Sequence, residues 1–191
     1  MSNKTALLVL NLQNIYTEKD AALWSEEMEE RMPIILEGIK TLRDKGVKII
    51  YAFSEADGTE FTYDKELLKR RDPVPMKGSH EAMPDSRLEI LPEDVIIKHY
   101  ASSALFTEES RKVLKEMGIE NVISCGTKMQ FDVRATATDA KWKGFKSYVS
   151  DEMTSSDSRE LTEIHLSEMN KYTAKTLKID EILSRIDEGI F

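Results

Sequence analysis

Short apolar runs alternate with longer stretches of helical period along this chain. Leu7, Leu8, Val9 and Leu10 form an unbroken apolar run, the signature of a strand buried on both faces. Ile34, Ile35, Leu36, Ile39 and Leu42 then recur at helical spacing, with Pro33 near the first turn and Lys45-Gly46 at the end. Residues 47–53 read as a second strand, residues 94–97 as a short third and residues 121–125 as a fourth. Thr107 caps a helix whose first turn holds Glu108 and Glu109, where carboxylates suit the helix dipole. A helix over 132–143, ended by Gly144, leads to a fifth strand over 145–149. A helix over 159–175, a short strand near Thr176-Leu177 and a last helix from Asp180 complete the pattern. Strands separated by helix-length segments predict one α/β domain over 1–191: a doubly wound parallel sheet with helices on both faces. Residues 54–92 break the rhythm. They are charged, hold four of the five prolines and predict a long excursion with one short helix near 65–71. Segments of that length serve function or an interface.

An open parallel sheet binds ligands at the carboxyl ends of its strands. Asn11 ends the first strand, Lys98 ends the third, and Asp132 follows the fourth. The pattern alone therefore brings these three residues to one place.

Bulk properties narrow the setting. The chain has 191 residues, enough for a substantial core, with 40% hydrophobic and 32% charged residues. No apolar run approaches the ~18 residues of a membrane span. A formal charge of −8 argues against nucleic acid or an anionic membrane as partner. The one cysteine, Cys125, cannot form an internal disulfide, and the first residues lack a signal-peptide core, so a cytoplasmic location is expected.

Several segments together resemble the isochorismatase-like hydrolases, also called the cysteine hydrolase superfamily, across nearly the whole chain. Asn11-Leu12-Gln13-Asn14 matches an Asp-x-Gln-Asn motif in three of four positions. Lys98 is followed by Ser102-Ser103-Ala104-Leu105-Phe106, which fits the family's Lys and Ser-Ala-Phe-like turn. Gly126 precedes Asp132 and Val133 by the family's Gly-to-Cys interval, and Thr136-Ala137-Thr138-Asp139-Ala140 is intact. Gly144-Phe145, Ser150-Asp151 and His165 fall where the family has its glycine-aromatic, acidic and histidine markers. The resemblance implies a Rossmann-like three-layer fold and a departed triad. The family's proton-accepting Asp is Asn11 here, its nucleophilic Cys is Asp132, and only Lys98 is as expected. It also implies backbone oxyanion donors in the loop after Gly126, beside a cis peptide near Thr127-Lys128.

The two substitutions look compensatory. Losing a carboxylate at position 11 would leave a buried ammonium unpaired, at a cost of ~3–5 kcal/mol, and Asp132 restores one. The expected site is therefore a buried Lys98–Asp132 ion pair with Asn11 hydrogen-bonded to one of them. Gln13, Ser103, Leu105, Lys128 and Met129 are the expected substrate-binding residues. Cys125 ends a strand seven residues before position 132 and reads as core.

No cofactor and no metal are expected. The nicotinamidase branch of the resembled family carries an Asp-x-His near the second strand, where this chain reads Phe53-Ser54-Glu55-Ala56-Asp57. His80, His99 and His165 are far apart in sequence, and a structural or surface role is expected for each, with His80 a candidate for the pocket mouth. The run Glu26-Glu27-Met28-Glu29-Glu30 reads as a solvated helix face.

The function expected from the resemblance is hydrolysis of a small amide, ester or vinyl ether without a cysteine nucleophile. The alternative is a catalytically silent small-molecule-binding or structural subunit on the same fold. An open polar pocket at Asp132 favours the first; a pocket filled by Phe131, Met129 or Leu105 favours the second. The expected partners are a small-molecule ligand and further copies of the chain, at least as a dimer. Light scattering should return a mass of two or more chains. A mass near the 21.9 kDa of one chain across a wide concentration range would contradict this.

Overall fold

The structure is a computed structural model that describes residues 4–59 and 73–191. The short helix expected near 65–71 lies outside the described residues. The strands are β1 (Thr5–Leu10), β2 (Lys48–Ser54), β3 (Val95–His99), β4 (Asn121–Thr127), β5 (Lys146–Ser155) and β6 (Lys175–Leu177). They form one parallel sheet in the order β3-β2-β1-β4-β5-β6. Strands β1 and β4 lie at its centre and are buried along their whole length.

Helices cover both faces. They are α1 (Asn14–Thr17), α2 (Glu26–Asp44), α3 (Glu108–Glu116), α4 (Arg134–Trp142), α5 (Arg159–Tyr172) and α6 (Ile179–Asp187). Leu8, Leu10, Ile50, Ala52 and Ile97 project to one side, where they meet Leu114 of α3, Ala137 and Ala140 of α4, and Leu166 and Met169 of α5. Leu7, Val9, Tyr51 and Phe53 project to the other, against Met28, Met32, Ile35 and Leu42 of α2 and Ile182 of α6. This is the predicted three-layer, doubly wound architecture.

Several local readings change, among them β5, which runs on to Ser155. The first long helix begins at Glu26, capped by the Ser25 hydroxyl that accepts from the Met28 N–H, so Pro33 sits inside it. The acidic run is thus the helix's first turn, where the dipole favours it. It is not solvated throughout: Glu27 is buried, and its Oε2 accepts from the Ser156 N–H at 2.8 Å and the Thr162 hydroxyl at 2.8 Å. Strand β3 continues two residues further than expected, through Lys98 and His99. Residues 129–133 form a π-helical turn, and α4 starts only at Arg134.

The carboxyl ends of β1 and β4 approach so closely that only glycine fits at position 126. A Cβ there would lie 2.1 Å from the Leu10 carbonyl oxygen, and Gly126 holds φ +101°. Gly126→Ala should therefore lower the unfolding free energy by at least ~2 kcal/mol, combining a left-handed penalty with overpacking. Denaturant unfolding that returns wild-type stability would show that this contact does not set the edge of the sheet.

Candidate active site

Asn11 leaves β1 in the left-handed conformation, φ +55°, which an Asn tolerates better than most residues. Its backbone N–H still donates to the Ala52 carbonyl at 2.9 Å. The turn carries its side chain into the sheet's carboxyl edge, where it is fully buried. Asn11 Oδ1 accepts from the Ser54 N–H at 3.2 Å and stands 3.0 Å from His99 Nε2.

His99, not Lys98, is the inward residue of β3. Successive strand residues point to opposite faces, so a step of one position exchanges pocket for solvent. His99 pairs with Ser54 across the sheet and is buried. Lys98 pairs with Phe53 instead, lays its ammonium 5.3 Å from that ring and binds Glu55 Oε2 at 3.1 Å. The expected Lys98–Asp132 ion pair is absent, because the side chain of Lys98 leaves by the other face. His99 holds the position opposite Asn11. Burial pushes its imidazole down to about 4, against a weaker raising effect of the Ala101 carbonyl that accepts from Nδ1 at 2.7 Å.

Asp132 lies where expected, at the floor of an open pocket of about 620 Å³. Its carboxyl is largely surrounded by protein, and burial pushes it up to about 7. Opposing that rise are the Asn11 amide, the backbone N–H groups of Lys128 and Asp132 itself, and the Lys128 ammonium. These backbone donors belong to the loop after the cis Thr127–Lys128 peptide, which lies where the resemblance placed it. They favour the ionised Asp132 carboxyl, and Asn11 Nδ2 nearby is buried without a well-formed partner.

The rest of the pocket departs from expectation. Of the five expected substrate-binding residues, only Lys128 lines it, with its ammonium paired to Asp157. Gln13 is fully occupied as a clasp: Nε2 donates to the Ser54 and Ala82 carbonyls at 2.8 Å, and Oε1 accepts from the Ser54 N–H at 2.9 Å. Leu105 and Met129 belong to the core, and the Ser103 hydroxyl accepts from the Leu105 N–H. The walls are instead Tyr16, Trp24, Tyr100 and Phe131, with Ser54 and Glu55 at the edge. Tyr100 and Phe131 sit beside expected residues in the sequence; Tyr16 and Trp24 carry no motif. His80 faces Glu18 and Asn14 rather than the pocket, and His165 faces Arg134.

The match to a family model covers residues 5–181 and is to the isochorismatase domain. This chain belongs to the isochorismatase family. Among solved structures, a cysteine hydrolase from Pseudomonas syringae pv. phaseolicola 1448A superposes with a TM-score of 0.88 at 17% identity, covering 97% of this chain and 93% of that one. An isochorismatase family protein from Desulfovibrio vulgaris subsp. vulgaris str. Hildenborough gives 0.86 at 17% identity, covering 98% of each chain. A pyrazinamidase of Pyrococcus horikoshii in complex with zinc gives 0.79 at 23% identity, covering 92% of this chain and 99% of that one. No curated protein matches the chain. These identities support the fold.

The residues near the end of β2 do not fit a metal of the kind held by that pyrazinamidase. Glu55 is bound to Lys98, the Asp57 carboxylate accepts from Thr59, and no group of three or more His, Cys, Asp or Glu converges among the described residues. Cys125 cannot serve as nucleophile: it is fully buried in β4, and burial pushes its thiol well above the usual range. Iodoacetamide at neutral pH should leave native Cys125 unmodified by mass spectrometry and label it fully after denaturation. Rapid labelling of the folded protein would contradict this placement.

Proposed function

We propose that this chain is a hydrolase that works by proton donation from Asp132 to a small substrate of the vinyl-ether class. The observation that carries the reading is the Asp132 carboxyl itself. It faces an open pocket, burial holds it near pH 7, and backbone donors await the carboxylate it becomes. An acid poised near the working pH is what proton transfer requires. Asp132 would give its proton to the terminal carbon of the enol ether. Water would then add to the resulting oxygen-stabilised cation, and the hemiketal would collapse. As the proton leaves, the Lys128 and Asp132 N–H groups stabilise the charge that develops.

Amide hydrolysis, the activity named for the pyrazinamidase neighbour, fits these residues less well. Its tetrahedral oxyanion needs free donors, and here the Lys128 and Asp132 N–H groups favour the Asp132 carboxylate instead. The wall of Tyr16, Trp24, Tyr100 and Phe131 suits a ring-bearing substrate, and the volume suits a small one.

The same occupied donors favour a second reading, a silent binding subunit. Activity against a panel of vinyl ethers and amides separates the two. The first reading expects vinyl-ether turnover that is high below pH 7 and falls as pH rises, because only the protonated carboxyl acts. Asp132→Asn should lower kcat at least ~100-fold with KM little changed. Binding without turnover in the wild type would favour the silent subunit. A rate that rises through pH 7 would make Asp132 a base and overturn the acid assignment.

A further inference from the structure

As the Asn11 amide stands, a neutral His99 leaves two acceptors face to face at the site. The Ala101 carbonyl can only accept, so His99 Nδ1 carries a hydrogen. If His99 is neutral, its Nε2 is a bare acceptor, and it stands 3.0 Å from another acceptor, Asn11 Oδ1. On the other side of the amide, Asn11 Nδ2 is buried without a well-formed partner, although it is the Asn11 donor that favours ionised Asp132.

Two arrangements remove the conflict. In the first, Asn11 stays as it stands. His99 is an imidazolium whose Nε2–H donates to Oδ1, while Nδ2 faces the Asp132 carboxylate. In the second, the amide turns over. Nδ2 then donates to neutral Nε2, and the Asp132 O–H donates to Oδ1. Turning the amide gives up the 3.2 Å contact from Ser54 N–H and sets that donor beside Nδ2, while Ser54 N–H keeps its stronger acceptor, Gln13 Oε1 at 2.9 Å. Both arrangements hold the same number of protons and the same total charge. Between them one N–H bond at His99 Nε2 breaks and one O–H bond at Asp132 forms, the proton being given up to solvent at one group and taken from solvent at the other.

We propose that Asn11 is a two-position amide switch through which His99 and Asp132 share a single proton. His99 is thereby a positioning residue: it sets the Asn11 amide and so the proton state of Asp132, without touching substrate. The amide suits this role where a carboxylate would not. It offers a donor at one end and an acceptor at the other, and it exchanges them by rotation. A fully deprotonated site favours the orientation in the structure, since a donor to a carboxylate outweighs one to a neutral ring. The charged groups near the pair are Lys128 with its partner Asp157 and Lys98 with its partner Glu55, and the phenols of Tyr16 and Tyr100 line the same pocket.

Nuclear magnetic resonance of the ligand-free protein tests this without any substrate. It rests on Asp132 as the titrating group but not on turnover, so its failure leaves the acid assignment to the kinetic test. The Asp132 carboxyl carbon and the His99 ring nitrogens are followed through pH. As pH falls through the Asp132 midpoint, His99 Nε2 should move upfield with that same midpoint, whether it gains the proton or accepts from Nδ2. In Asn11→Leu, Nε2 should no longer follow Asp132. A wild-type Nε2 that is flat through the Asp132 transition, or that titrates only at a separate midpoint, overturns the proposal. So does an Asn11→Leu variant in which Nε2 still follows Asp132. If that variant does not fold, the wild-type titration alone decides.

Discussion

Burial of one carboxyl against a partly opposing set of donors organises this site. Asp132 is half-buried where it lines the pocket, and desolvation outweighs the Asn11 amide, two backbone N–H groups and the Lys128 ammonium together. Had those donors won, the group would be an ordinary carboxylate and a poor acid at neutral pH. Had there been none, the conjugate base would have nowhere to rest. The balance depends on the carboxyl edge being closed tightly around it. Gly126 against the Leu10 carbonyl, the left-handed Asn11 and the π-helical turn over 129–133 each contribute to that closure.

The same edge accommodates an amide at position 11 beside a carboxyl at position 132. A lysine at the inward position of β3 would have demanded a carboxylate at position 11. The inward residue here is His99, whose imidazole burial biases toward the neutral form, so it brings no fixed charge to the amide of Asn11. Lys98, freed from the site, is satisfied by Glu55 on the opposite face. The expected Lys98–Asp132 pair is therefore not what balances charge at this edge.

Much of the fold was legible because it rests on apolar periodicity. The runs at 7–10, 47–53 and 121–125 are buried strands, and Thr107 caps its helix by accepting from the Ser110 N–H. Asn11 and Asp132 were legible as site residues because strand ends in a parallel sheet converge. His99 was not, because a strand read as ending at Ile97 leaves the facing of the next two residues unspecified. Gln13 and Glu27 were misread for a related reason: their roles are set by backbone groups 41 to 129 residues away, Ser54 for one and Ser156 for the other, and no local pattern announces such partners. Tyr16 and Trp24 reach the pocket from a segment with no period of its own.

The claim that Asp132 is held protonated by its surroundings has a direct thermodynamic consequence. Its pKa is about 7 in the folded protein, above the ordinary 3.8. The folded state therefore binds more protons than the unfolded state between those values, and stability falls as pH rises across that window. Asp132→Asn removes the titration. Unfolding free energies of wild type and Asp132→Asn, measured by denaturant from pH 3 to pH 9, should diverge in favour of the variant by about 2–4 kcal/mol across that window, with no further change on either side. A difference that stays constant with pH would mean that Asp132 ionises as an ordinary carboxylate, and the account of the site would fall with it.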